Sequence, residues 1–171
     1  MSNNANLNLS EYLPYLVNRL GSALVVSMSS NCLTQHGLNI DTWRILSVLS
    51  YRGAQRQVDL VDMTSIDAST VSRLVSRLVR LALVTRRRSD TSSREVIINL
   101  TAKGNALVNR IIPYALELEQ TAASGISVKD MTVIKRSLMQ MFENMRQQGV
   151  AKTLADKQRK SKFSSRQALL G

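Results

Sequence analysis

Arginine and hydroxyl side chains recur with helical spacing between residues 68 and 80. Arg73, Arg77 and Arg80 are spaced i, i+4 and i+7, so they lie along one stripe of a helix. Short hydroxyl side chains border that stripe: Ser69, Thr70, Ser72 and Ser76. In the major groove of duplex DNA, Arg can bond guanine O6 and N7 together, and Ser or Thr can bond bases or phosphates. Because residues 68–89 contain no Asp or Glu, the stripe predicts a DNA-reading helix rather than a merely solvated surface.

The other face of this helix and the segment before it complete a helix-turn-helix pattern. Asp67 is a candidate N-cap, and the buried face is predicted to carry Val71, Leu74, Val75, Leu78 and Val79. A short helix with Leu60 at its centre precedes it, joined by the tight link 64–66. In a helix-turn-helix the N-terminal part of the second helix makes the base contacts. That position holds Ser69, Thr70 and Arg73.

A predicted β-hairpin follows, in which residues 83–88 and 95–100 form strands around a polar loop. Strand alternation places Arg86 and Arg88 on one face and Arg87 on the other, and Arg94 leaves the loop. A wing beside a recognition helix can reach the minor groove, whose negative potential attracts Arg. We therefore expect Arg86, Arg88 and Arg94 to contact DNA, while the role of Arg87 stays open between DNA contact and plain surface.

The remaining segments predict helices that flank this unit. The predicted domains are a flexible N-terminus (1–9), an N-terminal dimerisation helix (10–37), a winged helix-turn-helix lobe (38–100), C-terminal dimerisation helices (101–149) and a basic flexible tail (150–171). Ser10 is a candidate cap of the first helix, and Gly149 is taken as the end of the last. That last helix carries a short heptad seam suited to pairing with another helix: Met131, Ile134, Leu138, Met141 and Met145. The predicted fold class is mainly α with a small β-hairpin wing.

Composition narrows the function classes. The chain has 171 residues, a net charge of +11 and a pI near 10.5, which favours a polyanionic partner such as double-stranded DNA. One Cys and one His exclude an intramolecular disulfide and a zinc finger built from this chain. No phosphate-binding Gly-rich loop or nucleophile–base pair appears, so we expect neither an enzyme nor a cofactor or metal. The polar N-terminus without positive charge and the lack of a long apolar run predict a cytoplasmic protein with no membrane partner.

Several short motifs in fixed order resemble the MarR (multiple antibiotic resistance regulator) family over roughly residues 35–147. They are Trp43-Arg44-Ile45-Leu46, Leu60, Ser69-Thr70-Val71-Ser72-Arg73-Leu74-Val75, Leu83-Val84-Thr85-Arg86, Arg94 and Leu100-Thr101-Ala102-Lys103-Gly104. The resemblance implies a homodimeric transcriptional regulator, presumed a repressor, binding a pseudo-palindromic operator. It implies interlocked terminal helices, with Leu13 and Leu16 joining the seam in the dimer interface, and Ser69, Thr70, Ser72 and Arg73 in the major groove. It also implies Arg94 at the wing and release by a small aromatic or phenolic effector.

The sequence departs from the family pattern in three places. Ser92 stands where the family usually has the acidic residue that steadies the wing arginine, and Asp90 lies two residues earlier. Val61 replaces a small residue after Leu60, and Ala82 replaces the glycine before the wing. The first departure puts the usual wing salt bridge in doubt.

Other residues support weaker hypotheses beside ordinary structural ones. Cys32 is interpreted as a structural thiol rather than a redox sensor, and His36 as a capping or surface residue rather than a ligand. Trp43 is expected in the core, with the alternative that it lines an effector pocket together with Tyr12, Tyr15 and Arg44. The alternative function is a non-specific architectural DNA-binding protein, which the net charge and the basic tail would also serve.

Overall fold

The computed structural model describes residues 6–88 and 95–168, with side chains described as far as residue 149. The helices are α1 (Leu13–Met28), α2 (Ile40–Arg52), α3 (Gln57–Thr64), α4 (Ala68–Arg80), α5 (Ala102–Ala122) and α6 (Val128–Ala168). The strands are β1 (Gln55–Arg56), β2 (Val84–Arg88) and β3 (Val96–Leu100). The chain divides into two compact units after Ala122. The mainly α fold with a small β wing is confirmed.

The first unit has one hydrophobic core, to which α1 through α5 and the sheet all contribute. The apolar side of α4 supplies Val71, Val75 and Leu78, each fully buried. They pack with Leu33 after α1 and with a set from the other elements: Ile45, Leu46, Leu60, Ile98, Val108 and Ile111. The predicted positions i, i+4 and i+7 of α4 are therefore buried and Leu74 at i+3 is half-buried, whereas Val79 at i+8 is exposed and its predicted burial is wrong. The arginine stripe points outward.

The sheet has three antiparallel strands in the order β1-β3-β2, and its first strand was not predicted. β1 has two residues, and Gln55 pairs with Ile98 while Arg56 pairs with Ile97. Two residues are too few to show an alternation of polar and apolar side chains, so no periodicity could reveal this strand. The hairpin of β2 and β3 agrees with its predicted bounds.

The N-terminal helix differs from the prediction in its start and in its last turns. It begins at Leu13 with Pro14 in its first turn, and Ser10 instead donates hydrogen bonds to the side chain of Asn8. After Met28 the helix passes into a π-helical turn (Ser29–Leu33) and a short 3-10 turn (Thr34–His36). Gly37, with a φ of 66°, ends it as predicted.

The second unit contains α6, and Gly149 does not end that helix. The helix continues through Gly149 to Ala168, so the prediction that Gly149 ends it is wrong. A single glycine inside a helix costs only about 1 kcal/mol relative to Ala, and the following segment is rich in Ala, Lys, Gln and Arg, which favour helix. Ser127 caps the start of α6, because the Asp130 amide donates to Ser127 Oγ at 3.1 Å.

Candidate nucleic-acid interface

The first turn of α4 is held by a side-chain cap. Asp67 Oδ1 accepts a hydrogen bond from the Thr70 amide at 3.0 Å and another from Ser69 Oγ at 2.7 Å. These two bonds hold the pKa of the Asp67 carboxyl far below its usual range, because both stabilise the charged form. The predicted cap is therefore confirmed, and it also orients the hydroxyl of Ser69.

The same turn positions the first arginine of the stripe. Arg73 Nη2 donates to Thr70 Oγ1 at 2.9 Å, and Arg73 itself is exposed. Asp67, Thr70 and Arg73 thus form a continuous chain of contacts along the N-terminal half of α4. A guanidinium held in one orientation loses less side-chain entropy when it binds a planar double acceptor such as a guanine edge.

Two other predicted contact residues already have partners within the protein. Ser76 Oγ donates to the carbonyl of Ser72 at 2.9 Å, which leaves that hydroxyl only as an acceptor. Arg77 Nη2 donates to the Gly37 carbonyl at 2.8 Å. Ser72, which is also predicted to contact DNA, is half-buried, and Arg77 is exposed. Both side chains therefore reach the surface of α4. Arg77 therefore joins two segments of the protein in addition to lying on the predicted stripe.

The wing arginines lie on a regular strand pair. Arg86 pairs with Ile98, Arg87 with Ile97 and Arg88 with Val96, and all three arginines are exposed. Alternation along the strand puts Arg86 and Arg88 on one face of the sheet and Arg87 on the other, as predicted. The face with Arg86 and Arg88 also carries the buried side chains of β2 and β3. Arg94, Ser92 and Asp90 lie outside the described residues.

An ion-pair cluster at the base of the wing was not predicted. The Arg56 guanidinium donates to both carboxylate oxygens of Asp59 at 2.8 Å and to Glu95 Oε1 at 3.0 Å. These partners raise the pKa of Arg56 and lower that of Asp59. The i, i+3 spacing of Arg56 and Asp59 in the sequence could have indicated the ion pair between them. The contact with Glu95 depends on the pairing of β1 with β3 and could not be predicted from local sequence.

The junction between α4 and β2 is packed closely against the start of α5. Ala82, the residue that replaces the usual glycine, has a φ of 55°, a left-handed conformation that costs an alanine about 1 kcal/mol. Thr101 Oγ1 donates to the Ala82 carbonyl at 2.7 Å and accepts from the Gly104 amide at 2.9 Å. A Cβ on Gly104 would lie 2.1 Å from the carbonyl oxygen of Leu83. This position therefore requires glycine.

Of the four residues predicted for an effector pocket, Trp43 lines a cleft formed by the described residues of α2 and α5. Trp43 lines a cleft of about 350 Å³ between α2 and α5, together with Ser47, Ser50, Tyr51, Val108, Ile112, Ala115 and Leu116. Arg44 follows Trp43 on α2, and its side chain points in another direction because neighbouring residues on a helix point about 100° apart. Arg44 forms an ion pair with Asp41 at 3.2 Å. Tyr12 and Tyr15 lie on α1 and its start and are not among the lining residues. A pocket that combines all four residues stays a prediction.

The residues predicted for the dimer interface keep apolar surface exposed in the single chain. Leu13 and Leu16 on α1 are 45% and 42% exposed. On α6, Ile134, Leu138, Met141 and Met145 are exposed and Met131 is half-buried.

The side chain of the single cysteine is buried, and that of the single histidine is half-buried. Cys32 is 5% exposed, and burial raises the pKa of its thiol, which disfavours the reactive thiolate. His36 is half-buried in the turn before Gly37. Across residues 6–88 and 95–149, no group of three or more potential metal-binding side chains occurs. Within the described part of the chain, no helix is long and apolar enough to cross a membrane.

Comparison with known sequences points to one family. Residues 36–95 match the model of the MarR family. The chain is 27% identical over 99 residues to the HTH-type transcriptional repressor NicR of Pseudomonas putida, covering 58% of this chain and 63% of that protein. It is 26% identical over 114 residues to the HTH-type transcriptional regulator MhqR of Bacillus subtilis, covering 66% of this chain and 78% of that protein. The alignment thus spans less than two thirds of the length of NicR, and both relatives are named as regulators rather than enzymes.

Solved structures agree with this match. The chain resembles BpsR of Bordetella bronchiseptica, whose DNA binding is regulated by 6-hydroxynicotinic acid, with a TM-score of 0.67 and 26% identity over 75% of this chain and 96% of that one. It resembles a MarR-family transcriptional regulator from Silicibacter pomeroyi with a TM-score of 0.72 and 26% identity, over 80% and 91% of the two chains. Both comparisons extend the likeness well beyond residues 36–95.

Proposed function

We propose that this chain is a cytoplasmic transcriptional repressor of the MarR type that binds a pseudo-palindromic operator as a homodimer. The match of residues 36–95 to the MarR family model and the likeness to NicR, MhqR and the regulator from Silicibacter pomeroyi support this proposal. In this proposal α4 lies in the major groove, and the wing formed by β2 and β3 lies over the adjacent minor groove. Two copies would read half-sites about one helical turn apart, because the two-fold axis of a dimer matches the symmetry of the operator.

The observation that carries this proposal is the organised polar face at the start of α4. Arg73 is exposed, yet its guanidinium is held by Thr70, which is itself anchored to the cap at Asp67. Fixing a side chain before binding reduces the entropy lost in the complex. The exposed arginines Arg86, Arg87 and Arg88 add positive charge on the neighbouring wing. We assign the base contacts to Ser69, Thr70, Ser72 and Arg73, and backbone contacts to the wing.

Exposed apolar surface on α1 and α6 supports the homodimer. Leu13 and Leu16 on α1 expose more than two fifths of their surface, as does Met145 of the α6 seam. Large apolar side chains exposed on each of these two helices, in a chain of high charge, favour a protein interface on each helix. A second copy of this chain is the partner that also accounts for a symmetric operator.

We further propose that a small aromatic effector weakens DNA binding from the cleft beside Trp43. The cleft is lined by the aromatic residues Trp43 and Tyr51, by apolar side chains from α5 and by Ser47 and Ser50. Its volume of about 350 Å³ is that of a site for a small organic molecule. BpsR, the structural relative with 26% identity, is regulated by 6-hydroxynicotinic acid, which supports an effector of similar size.

The test is selection of bound duplexes from a random pool, followed by affinity measurements at one fixed salt concentration. We expect a two-fold-symmetric site that the protein binds roughly a thousand-fold or more tighter than scrambled DNA. Weak enrichment together with a steep dependence of affinity on salt would instead favour non-specific architectural binding. Sedimentation of the complex, with two chains per site expected, tests the homodimer separately.

A further inference from the structure

The Arg56 guanidinium connects three elements of the first compact unit. Arg56 ends β1 and directly precedes α3. Its Nε and Nη2 donate to the two carboxylate oxygens of Asp59, in the first turn of α3, at 2.8 Å, and its Nη1 donates to Glu95 Oε1 at 3.0 Å. Glu95 directly precedes β3. All three guanidinium nitrogens are therefore engaged, and one side chain joins β1, α3 and the wing.

The contact with Asp59 gives this guanidinium a fixed direction. Two parallel hydrogen bonds between a guanidinium and one carboxylate define the plane of the fork, which a single bond does not. Nη1 then points away from Asp59 and toward Glu95. An exposed ion pair contributes little to the stability of a fold. The main consequence of this geometry is therefore the placement of Glu95.

Glu95 lies beside the end of β3 that is next to the wing loop. The following residue, Val96, pairs with Arg88 on β2, and Ile97 pairs with Arg56 on β1. β1 has only two residues, so its pairing with β3 stops at Ile97. The contact between Arg56 and Glu95 extends this attachment two residues further along the chain, to the level of the exposed Arg88.

We infer that Arg56 is a positioning residue for DNA binding, which holds the wing through Glu95 and thereby fixes the place of Arg88 relative to α3 and α4. Without this contact, the loop-side end of β3 would be paired with β2 alone. A two-stranded ribbon is only marginally stable by itself, so that end would move relative to the recognition helix. The consequence for DNA rests on the proposed function, whereas the attachment of the wing does not.

This role predicts an effect opposite in sign to that of simple electrostatics. Glu95 carries a negative charge beside strands whose exposed arginines are proposed to meet a polyanion. Neutralising it should strengthen DNA binding if charge alone mattered. If Glu95 instead serves to hold the wing, neutralising it should weaken DNA binding.

Hydrogen exchange of the full chain without DNA tests the attachment. Glu95→Gln keeps the shape of the side chain but loses the charge-assisted hydrogen bond. We expect the amides of β3 to exchange roughly threefold or more faster in this variant, after correction for intrinsic rates, because local opening becomes easier. Asp62→Asn is the matched control, because it removes one exposed carboxylate from α3 outside the ion-pair cluster. Unchanged exchange in Glu95→Gln would overturn the inference while leaving the proposed function intact.

Affinity for the selected operator tests the consequence for DNA. Glu95→Gln should bind roughly threefold or more weakly, and its affinity should fall less steeply with salt, because a displaced wing neutralises fewer phosphates. Asp62→Asn, with the same change in charge, should bind as tightly as the wild type or more tightly. A variant that had only lost stability would keep the wild-type salt dependence. Equal or tighter operator binding by Glu95→Gln would refute the positioning role.

A double-mutant cycle assigns the effect to the contact between Arg56 and Glu95. Arg56→Gln should weaken operator binding, and adding Glu95→Gln to it should weaken binding no further, because the contact is already lost. Additive losses would mean that Glu95 acts through another group and would overturn the role of Arg56. If Arg56→Gln lowers the stability of the fold, Glu95→Gln still decides the question, because it leaves both hydrogen bonds between Arg56 and Asp59 in place.

Discussion

The Arg77 guanidinium joins α4 to the end of the N-terminal helical segment, with Nη2 lying 2.8 Å from the carbonyl oxygen of Gly37. Gly37 is the left-handed residue that ends this segment, where backbone carbonyls lack helical partners and the helix dipole is negative. The Arg77 guanidinium therefore bonds a backbone carbonyl at the C-terminal end of this segment, where a positive charge is most favourable. The contact links the orientation of α4 to the segment that begins with α1.

Loss of this contact should lower stability. Arg77→Ala is expected to reduce the free energy of unfolding by about 1 kcal/mol, the typical contribution of one hydrogen bond. Arg80→Ala removes an exposed arginine from the same helix and is the matched control, because both changes alter helix propensity equally. Chemical denaturation of both variants measures the difference. Equal stability of the two variants would mean that the Gly37 contact contributes nothing in solution.

Asp67 should give α4 a pH-dependent stability. Its folded-state pKa is lowered below the ordinary value of 3.8, so the stabilisation is complete above that value and is lost as the pH falls below it. Asp67→Asn keeps a good capping oxygen but no charge. We expect its unfolding midpoint to lie below that of the wild type at pH 6, with the gap narrowing progressively below about pH 4. A gap that stays constant across this range would contradict the assignment of charge to the cap.

Gly104 should tolerate no side chain. Gly104→Ala places a Cβ against the backbone oxygen of Leu83, so either α5 or the start of β2 must shift. Overpacking of this kind costs typically 1–3 kcal/mol. Gly149→Ala, in a helix position where the new Cβ meets no atom within 4 Å, should instead stabilise α6 by about 0.5–1 kcal/mol. Thermal unfolding of both variants tests the pair, and a stable Gly104→Ala protein would show that α5 lies farther from β2.

Arg73 should read a base. Arg73→Ala is expected to cost about 1–3 kcal/mol on the selected operator and to relax sequence preference at one position of each half-site. Competition binding against a set of single-base operator variants measures both effects. The control is Lys129→Ala on α6. If Arg73→Ala lost as much affinity for random DNA as for the operator, the contact would be to phosphate and the assignment to a base would be refuted.

The seam on α6 should hold the dimer together. Leu138→Lys places a charge in the middle of the heptad positions and is expected to give monomers in sedimentation equilibrium. Met139→Lys is the matched control, because Met139 is adjacent but outside the seam and is 73% exposed. A dimer that survives Leu138→Lys, or one that both changes disrupt, would place the interface elsewhere.

Elements with strong local patterns could be predicted closely. Helix α2 ends at Arg52, directly before Gly53, and glycine at such a position is a readable helix stop. The cap at Asp67 and the outward stripe of α4 also follow from spacing, because the 3.6-residue period fixes which side chains share a face. Gly149 was misinterpreted because glycine is common both at helix ends and, at small cost, inside long helices.

The order of the elements, the polar face of α4 and the resemblance to the MarR family could be predicted from the amino-acid sequence, because these depend on residue types at short, regular spacing. The pairing of β1 with β3, the contact of Arg56 with Glu95, the link from Arg77 to Gly37 and the lining of the cleft beside Trp43 follow instead from the packing of the elements. Glu95 lies 39 residues from Arg56, and Gly37 lies 40 from Arg77. Contacts across such distances depend on how whole elements pack, and no periodicity along the chain encodes them.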